Sequence, residues 1–594
     1  MDLTQLHLEA QEAGIQLGFH SPTGDWKPAD PEALNAVLTA LGPRPQTPMA
    51  SQPHIGEAWR PVRRDWGAFL PHHALRTAAT RGLGDYTALG DLGAWLGGLG
   101  ASLLGTLPML PTFLDRAGPF EPSPYAPVSR HHWAEHLIDP VATPEWTRCP
   151  QAQQILKDAD ADGTLSALRS GDYADPAAAW DLQWRLLMAL SKVAWADPDA
   201  AARMEEDPSI AVYARFRAAS ITRGPWPTWA SAQRWSEPHL GLGGEDLDPE
   251  HVRAWTYAQH EARRQVMQLR ARLKAAGVDL YLDLPIGTHP DGFDTWHGTG
   301  TGPLHAAQMS TGAPPDPYFP SGQDWGFPPV HPNLSAEQNH ADLRGALHHH
   351  ATAAHRLRID HILGLHRLFW IPSQMGPERG VYVENPADAW WRHLVSASHD
   401  TRCEMVGEDL GMLPESLHAR MHQHNLSGLY VGQFTARPDP SNPLPAPRQR
   451  CIASLNTHDT PTFAGWCDGL DLADHHALGW MTAEALASAK EHRRRTVQAL
   501  TPLAQGWTVL GPDASDDPAV HLHAALALKL AQSPASTVLI NLEDLWGETR
   551  PQNVPGTWRE RPNWTRRSRL DLAQMKQHRA VLALATALSQ ERAS

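Results

Sequence analysis

The composition of this chain of 594 residues indicates a folded protein with a large core, since 42% of the residues are hydrophobic. A net charge of −15 without any basic run argues against nucleic acid and anionic membranes as partners. Four cysteines without CxxC spacing predict neither a disulfide framework nor a zinc site. The N-terminus lacks a signal-peptide pattern, so we expect a cytoplasmic protein.

Two helical patterns open the chain. LTQLHLEAQEAG and the later PEALNAVLTALG both carry apolar residues at helical spacing, and Gly42 followed by Pro43 ends the second pattern. The Pro-rich stretch GPRPQTPMASQP comes next and is typical of a linker. We therefore predict a small helical domain with its linker over residues 1–55 and one large domain over residues 56–594.

Beyond residue 60, short apolar runs alternate with longer segments of helical period, which indicates parallel strands joined by helices. Seven runs are clear, and we place an eighth near HLID (136–139). Eight units favour a closed (β/α)8 TIM barrel over an open doubly wound sheet, because no glycine cluster has the nucleotide-binding pattern. Helical patterns without strands predict an inserted, mainly helical subdomain at about 140–250. The seven runs are SLLGTLPML (102–110), VDLYLDLPI (278–286), RLRIDHIL (356–363), CEMVGEDL (403–410), LYVGQF (429–434), CIASLNTH (451–458) and TVLINLED (537–544).

Three acidic residues stand out: Asp360 ends LRID, Glu408 follows the apolar MVG, and Asp459 follows SLNTH. The carboxyl ends of barrel strands meet at one mouth, so we expect the three side chains to converge there. Any one of them alone could simply cap the next helix. Three together favour glycoside chemistry, which needs a nucleophile, an acid for the leaving oxygen and further charge for the transition state.

Arg358 lies two residues before Asp360 and therefore on the same face of the strand. Its guanidinium could hold Asp360 ionised and in position, or it could form an ordinary ion pair of the barrel. A histidine-rich stretch, residues 348–355, lacks HExxH or equivalent spacing and falls in a helix pattern of the barrel exterior. We predict no metal site and no cofactor.

Several segments together resemble the amylomaltases, the 4-α-glucanotransferases of glycoside hydrolase family 77. RIDHILGLHRLFWIP (358–372) is similar to their nucleophile strand, VGEDLGMLP (406–414) to their acid/base strand, and NTHDTPTFAGW (456–466) to the strand of their third carboxylate. The similarity covers roughly residues 60–575. Further matches in the same order are SPYAPVSR (123–130), DLPI (283–286), the loop TGAPPDPYFPSGQDWGFPP (311–329), QNVPGT (552–557) and PNWTRR (562–567).

This resemblance implies a role for each of the matched residues at the barrel mouth. It makes Asp360 the nucleophile, Glu408 the general acid/base and Asp459 the stabiliser of the transition state. It also makes Arg358 and His458 direct contacts of the sugar or of the carboxylates.

Four further residues are implied as substrate contacts. Asp283 matches a barrel-strand position near the site, and Tyr125 is a candidate for stacking on sugar, with core packing as the alternative. In the loop of residues 311–329, Asp316 and Trp325 would contact the glucan. The loop's aromatic residues would exclude water, or they only seal the rim of the barrel.

The implied function is transfer of segments between malto-oligosaccharides and other α-1,4-glucans. It would proceed by a retaining double displacement through a covalent glycosyl-enzyme intermediate. A retaining α-glucan hydrolase of the α-amylase type would use the same carboxylates, and only the loop of residues 311–329 favours transfer. A non-catalytic glucan-binding protein on this fold is the remaining alternative.

Overall fold

The computed structural model shows an α/β protein whose centre is a parallel barrel. No helix in the described ranges is long and apolar enough to cross a membrane. The structure describes residues 2–21, 24–42, 55–115, 122–229, 247–297, 304–316, 319–332, 336–411, 413–504, 509–511 and 513–593, with only the backbone of residues 336–340.

The strands of the described residues fall into a barrel, a smaller antiparallel sheet and an N-terminal ribbon. In chain order they are β1 (Gly18–His20), β2 (Trp26–Pro28), β3 (Asp65–Phe69), β4 (Leu103–Gly105), β5 (Asp279–Leu284), β6 (Met309–Ala313), β7 (Gln323–Phe327), β8 (Arg356–Ile359), β9 (Arg367–Pro372), β10 (Val381–Glu384), β11 (Glu404–Gly407), β12 (Gly428–Val431), β13 (Cys451–Ser454) and β14 (Thr537–Asn541).

Helices surround the barrel and fill the long connections between its strands. They are α1 (Leu3–Glu12), α2 (Pro31–Leu41), α3 (Tyr86–Gly98), α4 (Pro150–Ala161), α5 (Thr164–Arg169), α6 (Pro176–Trp195), α7 (Pro198–Glu205), α8 (Pro208–Arg223), α9 (Pro249–Ala275), α10 (Phe293–Trp296), α11 (Ala336–Ala353), α12 (Ala387–Thr401), α13 (Glu415–Gln423), α14 (Gly432–Thr435), α15 (Phe463–Cys467), α16 (Leu470–Ala477), α17 (Ala483–Ala504), α18 (Pro518–Gln532), α19 (Leu572–Met575) and α20 (Arg579–Ala593). Short 3₁₀ turns include Glu135–Leu137, Ile362–Leu365 and Leu542–Trp546.

The barrel closes in the order β3-β4-β5-β8-β11-β12-β13-β14, with each strand parallel to the next. Strand β14 pairs with β3, and a parallel bridge between Val406 and Ser427 joins β11 to β12. Six of the seven clear apolar runs contain one of these strands, and LYVGQF (429–434) covers all of β12 except Gly428. The prediction of a (β/α)8 barrel is therefore confirmed.

The placement of the eighth strand at HLID (136–139) is wrong, because the chain there forms a 3₁₀ turn. Its apolar residues Leu137 and Ile138 are buried beneath the surrounding helices. The remaining barrel strand is β3, whose sequence DWGAF has no β-branched residue to mark it as a strand. Gly67 in its centre is needed, since a Cβ there would collide with Leu103 of β4.

Several helices begin with the same local device, an aspartate followed by proline. The aspartate side chain accepts hydrogen bonds from backbone N–H groups of the first turn, while proline at the first helical position has no N–H to leave unpaired. These Asp-Pro starts belong to α2, α6, α7, α8, α9 and α18, with N-caps Asp30, Asp175, Asp197, Asp207, Asp248 and Asp517.

Helices α4 to α8 occupy the connection between β4 and β5, in the range where the sequence predicts an insertion. They pack on the barrel helix α9 through stacked indoles, with the ring centroids of Trp184 and Trp255 4.4 Å apart. Trp180 stacks on both of these rings at 5.6 Å.

The N-terminal elements pack on the antiparallel sheet, whose strand order is β10-β9-β6-β7. Leu6 of α1 and Leu34 of α2 share one core with Trp370 of β9 and Val381 of β10. Backbone hydrogen bonds join Gly14 to Glu384, and Arg379 forms a salt bridge of 2.9 Å with Asp30. The predicted linker after Gly42 lies largely outside the described residues.

Candidate active site

The carboxyl ends of the barrel strands open into a cavity of about 3140 Å³. Of the nine residues that the sequence singles out, Asp283 and His458 lie just beneath this cavity and border a small void inside the barrel. The other seven line the cavity itself: Tyr125, Asp316, Trp325, Arg358, Asp360, Glu408 and Asp459.

Register explains why Asp283 and Arg358 meet. They are Cα partners in the neighbouring parallel strands β5 and β8, so their side chains point into the barrel together. Nη1 of Arg358 donates to Oδ2 of Asp283 at 2.5 Å and lies 3.0 Å from Oδ1 of Asp360. The guanidinium thus orients the Asp360 carboxylate, which follows directly after β8 and faces the cavity.

Tyr125 continues this network on the other side of Asp283. Its hydroxyl donates to Oδ2 of Asp283 at 2.6 Å and lies 2.7 Å from Nε2 of His458. The two rings stack with centroids 5.2 Å apart, and Nε2 of His458 lies 3.0 Å from Oδ2 of Asp459. A continuous chain of polar contacts therefore runs from Asp360 to Asp459 along the floor of the cavity.

Glu408 follows β11 and accepts two backbone hydrogen bonds. Its Oε2 accepts from the N–H of His361 at 3.1 Å, and its Oε1 accepts from the N–H of Leu410 at 2.7 Å. Burial raises the pKa of Glu408 to about 7; Asp360 adds to the rise and Arg358 opposes it. A carboxyl group with this pKa is partly protonated at neutral pH and can donate a proton.

His361 directs its backbone N–H toward Glu408 from a strained conformation. Its φ of 44° lies in the left-handed region, which a non-glycine residue adopts only at a cost of about 1–3 kcal/mol. Burial lowers the pKa of the His361 imidazole to about 4, so the ring is neutral at neutral pH. This residue, adjacent to Asp360, was not singled out from the sequence.

Asp459 is held by two polar side chains. Nδ2 of Asn553 donates to its Oδ1 at 2.9 Å, and His458 contacts its Oδ2. Withdrawal from bulk water raises the pKa of Asp459, but His458, Asn553 and Arg358 together lower it to about 2. Asp459 is therefore ionised at neutral pH, whereas Glu408 is partly protonated.

The loop of residues 311–329 forms the hairpin β6–β7 and one wall of the cavity. Asp316 lines this wall, and its Oδ1 accepts from the N–H of Phe319 at 2.6 Å, which closes the tip of the hairpin. The Trp325 ring meets the ring of His361 edge to face, with centroids 5.1 Å apart. Tyr318 lies outside the described residues.

Two contacts join this hairpin to the rest of the cavity rim. Phe327 packs so closely on Gly287 that a Cβ at Gly287 would lie 2.7 Å from the Cβ of Phe327. A Cβ at Gly556 would lie 3.8 Å from Cε1 of Phe319, so the hairpin tip approaches the segment around Gly556. The hairpin is thus packed on the rim at its base and lies near the segment around Gly556 at its tip.

Three contributions to the site escape the sequence patterns. The strained backbone of His361 and the amide of Asn553 support the two carboxyl groups, and the ring of Trp564 lies 5.6 Å from that of Tyr125. Asn553 and Trp564 fall within QNVPGT and PNWTRR, segments that resemble the family. That resemblance is the signal that could have identified both residues.

The described residues contain one group with the geometry of a metal site, His131, Asp294 and Asp342, whose ligand atoms lie within 4.8 Å of one another. Arg130 already donates hydrogen bonds to both carboxylates. Its guanidinium donates to Asp342 and its backbone N–H donates to Asp294, each at 2.7 Å. None of these residues lines the cavity. The histidine-rich stretch in α11 packs elsewhere, with His349 stacked on Trp133 at 4.1 Å.

A (β/α)8 barrel with these carboxyl groups in one large cavity has the form of an enzyme that acts on glycosidic bonds. The model of the 4-α-glucanotransferases of glycoside hydrolase family 77 matches residues 70–572. The chain belongs to this family of 4-α-glucanotransferases, the amylomaltases. The family and the activity predicted from the sequence are confirmed.

Two relatives illustrate the similarity in sequence. The 4-α-glucanotransferase of Mycobacterium tuberculosis (strain ATCC 25618 / H37Rv) is 30% identical over 522 residues, which cover 84% of this chain and 71% of the relative. The enzyme of Haemophilus influenzae is 26% identical over 561 residues, which cover 89% of this chain and 79% of the relative.

Two solved structures share the fold. The amylomaltase from Corynebacterium glutamicum superposes with a TM-score of 0.80 at 21% identity, covering 98% of this chain and 99% of the other. The amylomaltase from Streptococcus agalactiae, solved in complex with acarbose, gives a TM-score of 0.67 at 18% identity, covering 89% of this chain and 99% of the other.

Proposed function

We propose that this enzyme transfers α-1,4-glucan segments between malto-oligosaccharides by a retaining double displacement, with Asp360 as the nucleophile. The observation that carries the proposal is the environment of Glu408. Its pKa of about 7 lets one group first donate and later accept a proton at neutral pH. Asp360 lies in the same cavity and is oriented by Arg358.

In the first step, Asp360 attacks the anomeric carbon of the donor glucan. The bond to the glycosidic oxygen breaks, and Glu408 gives its proton to that oxygen, so the departing glucan leaves as an alcohol. Asp459 carries a negative charge that stabilises the oxocarbenium-like transition state. The product is a glycosyl group bound covalently to Asp360.

In the second step, the Glu408 carboxylate accepts the proton of an acceptor hydroxyl. The acceptor oxygen attacks the same anomeric carbon and releases the Asp360 carboxylate. Two inversions at one carbon return the original α configuration. The Asp360–Arg358–Asp283 contacts hold the nucleophile in place through both steps.

The hairpin β6–β7 supports glucan transfer over hydrolysis as the second step. Phe319 and Trp325 place apolar surface on the cavity wall, and the packing of Phe327 on Gly287 supports the hairpin. Such a wall disfavours water while an acceptor sugar is bound. A hydrolase with the same carboxylates would need an open path for water at this place.

Maltotriose is the substrate that separates transfer from hydrolysis. The wild-type enzyme is expected to produce glucose and a ladder of longer dextrins, with almost no increase in total reducing ends. Thin-layer chromatography and a reducing-sugar assay on the same samples measure both. A steady rise in reducing ends from the start of the reaction would make the enzyme a hydrolase.

Acarbose, the compound present in the Streptococcus agalactiae structure, is a suitable probe for the cavity. We propose that it binds here against Asp360 and Glu408. A crystal structure of the complex is expected to show the two carboxyl groups about 5–5.5 Å apart, the separation of a retaining pair. A separation of about 7 Å or more in the complex would contradict the double displacement.

We also propose that the enzyme acts in the cytoplasm. All four cysteines are unpaired, and Cys149, Cys403 and Cys451 are buried, which suits a reducing compartment. Fractionation of producing cells is expected to leave the transferase activity with the cytosolic marker enzymes. Activity that follows a secreted marker would contradict this assignment.

A further inference from the structure

Exposed aromatic side chains are concentrated at the active-site cavity. Among the described residues, four have more than about one third of their surface exposed, and all four line this cavity: Trp26, Tyr173, Phe434 and Trp558. Aromatic faces left in water at a binding cavity are suited to the apolar faces of sugar rings. Trp26 is the most exposed of the four, at 53%.

Trp26 belongs to a part of the chain that the family model does not cover. It begins β2 of the N-terminal ribbon, whereas the family model matches residues 70–572. The site residues Asp360, Glu408 and Asp459 all lie within the matched range. The family match therefore assigns no role to this ribbon, although the ribbon lines the same cavity.

The ribbon holds the Trp26 ring in place from two sides. Trp26 is the Cα partner of His20 in β1, and the two rings meet at a centroid distance of 5.1 Å and an angle of 65°. Gly18 lies beneath the indole, since a Cβ there would lie 2.5 Å from Cζ2 of Trp26. The exposed indole is thus supported by its own ribbon.

The ribbon itself is attached to β9 and β10, the strands that follow Asp360 in sequence. Phe19 meets the rings of Phe369 and Tyr382 edge to face, at 5.8 Å and 6.0 Å. Nη1 of Arg367, the first residue of β9, donates to Oε1 of Gln16 at 2.6 Å. These contacts tie the position of Trp26 to the strand pair β9–β10.

The wall of this cavity carries polar side chains as well. Gln16, Arg367 and Glu384 all line it and offer donors and acceptors for sugar hydroxyls. The cavity volume of about 3140 Å³ exceeds the ~300–1,000 Å³ that suffice for a drug-sized ligand. There is therefore room for a glucan that extends well beyond the sugars at Asp360.

We propose that Trp26, supported by His20 and Gly18, is a stacking platform for the distal part of a long α-1,4-glucan. This inference rests on the proposed glucan transferase function and adds to that function a preference for long chains. A long glucan occupies Trp26 and the catalytic site together, whereas maltotriose occupies the catalytic site alone. Trp26 contributes to binding and not to the chemical step.

The test is a comparison of Trp26→Ala with the wild type on a long linear amylose and on maltotriose. The KM for amylose is expected to rise by about 3- to 10-fold, the effect of losing one aromatic stacking contact. The kcat on amylose and both constants for maltotriose are expected to stay within about 2-fold of wild type. Native electrophoresis in gels that contain amylose measures binding directly, and Trp26→Ala should be retarded less.

Two variants serve as controls. Trp26→Phe keeps a flat ring and is expected to retain most of the amylose affinity. Leu8→Ala removes an equally exposed apolar side chain, 52% exposed on α1 and outside the cavity, and is expected to behave as wild type on both substrates. Circular dichroism checks that each variant is folded.

Three outcomes would overturn the proposal. The first is an unchanged KM for amylose, and the second is an equal loss on amylose and maltotriose. The third is a change in oligomeric state of Trp26→Ala in size-exclusion chromatography, which would assign Trp26 to an interface between proteins. A wild-type enzyme that fails to disproportionate maltotriose would instead refute the proposed function, so the two failures are distinguishable.

Discussion

Glu408 and Asp459 both line one cavity, and their surroundings shift their pKa values in opposite directions. Burial dominates at Glu408 and raises its pKa to about 7. At Asp459 the imidazole of His458 and the amide of Asn553 outweigh burial, and its pKa falls to about 2. The separation of two pKa values by environment supports the proposed acid role of Glu408 and the proposed charge-stabilising role of Asp459.

The side chains of Asp360 and Glu408 are expected to be essential for activity. Asp360→Asn removes the nucleophile, and Glu408→Gln removes both proton transfers, so each variant should lose at least ~100-fold in rate on maltotriose. Initial rates measure the loss, with circular dichroism as the control for folding. A folded variant that keeps about a tenth of the wild-type rate or more would disprove the role of its residue.

The pH dependence of the reaction is expected to follow Glu408. Its raised pKa means that the proton is retained up to about pH 7 and lost above it, so kcat/KM for maltotriose should fall as the pH rises through about 7. Well above this value the fall should approach tenfold per pH unit. Rates measured across the neutral range test this, and a profile that stays flat to about pH 9 would contradict it.

At the scale of elements, the position of the hairpin β6–β7 depends on its contacts with the barrel. Phe327 packs on Gly287 at the end of β5, and Trp325 meets His361 at the end of β8. The polar turn at Asp316 closes the tip. Because its base is packed on the rim, the hairpin can present aromatic surface to the cavity.

Trp325→Ala is expected to raise the proportion of hydrolysis to transfer several-fold on maltotriose, because the smaller side chain admits water beside the glycosyl-enzyme. Reducing ends released per transfer event measure this proportion. Trp325→Phe is the matched control and should stay closer to the wild type. An alanine variant with unchanged products and kinetics would remove Trp325 from the mechanism.

At the scale of the whole molecule, the N-terminal elements share their core with the antiparallel sheet. Leu34 of α2 packs in one cluster with Met309, Trp370 and Val381, and Arg379 bridges to Asp30. Removal of the N-terminal elements would expose the apolar side chains of β9 and β10 to water. The stability of the antiparallel sheet therefore includes a contribution from residues far from it in sequence.

A chain that lacks residues 2–42 is expected to unfold at a lower temperature than the full chain and to aggregate more readily, because the apolar side chains of β9 and β10 are exposed. Thermal unfolding followed by circular dichroism measures the change. Leu8→Ala, at an exposed position, controls for changes in the same region. An unchanged unfolding temperature would show that the N-terminal elements fold as an independent unit.

Local pattern in the sequence was enough to predict seven barrel strands and three carboxyl groups at strand ends, while the resemblance of several motifs indicated the family. The reason is that a parallel barrel brings the carboxyl ends of all its strands to one mouth, so a residue's place in its strand predicts its place in the site. Asp360, Glu408 and Asp459 each follow a short strand-like segment that the local sequence alone is enough to recognise.

Only the tertiary structure identified the strand DWGAF, the support of Asp459 by Asn553 and the attachment of the ribbon that bears Trp26. Asn553 is 94 residues from Asp459, and Arg367 is 351 residues from Gln16. Contacts over such separations leave no periodic pattern in the chain. They arise because close packing and the pairing of buried polar groups select the neighbours of each side chain only once the barrel has closed.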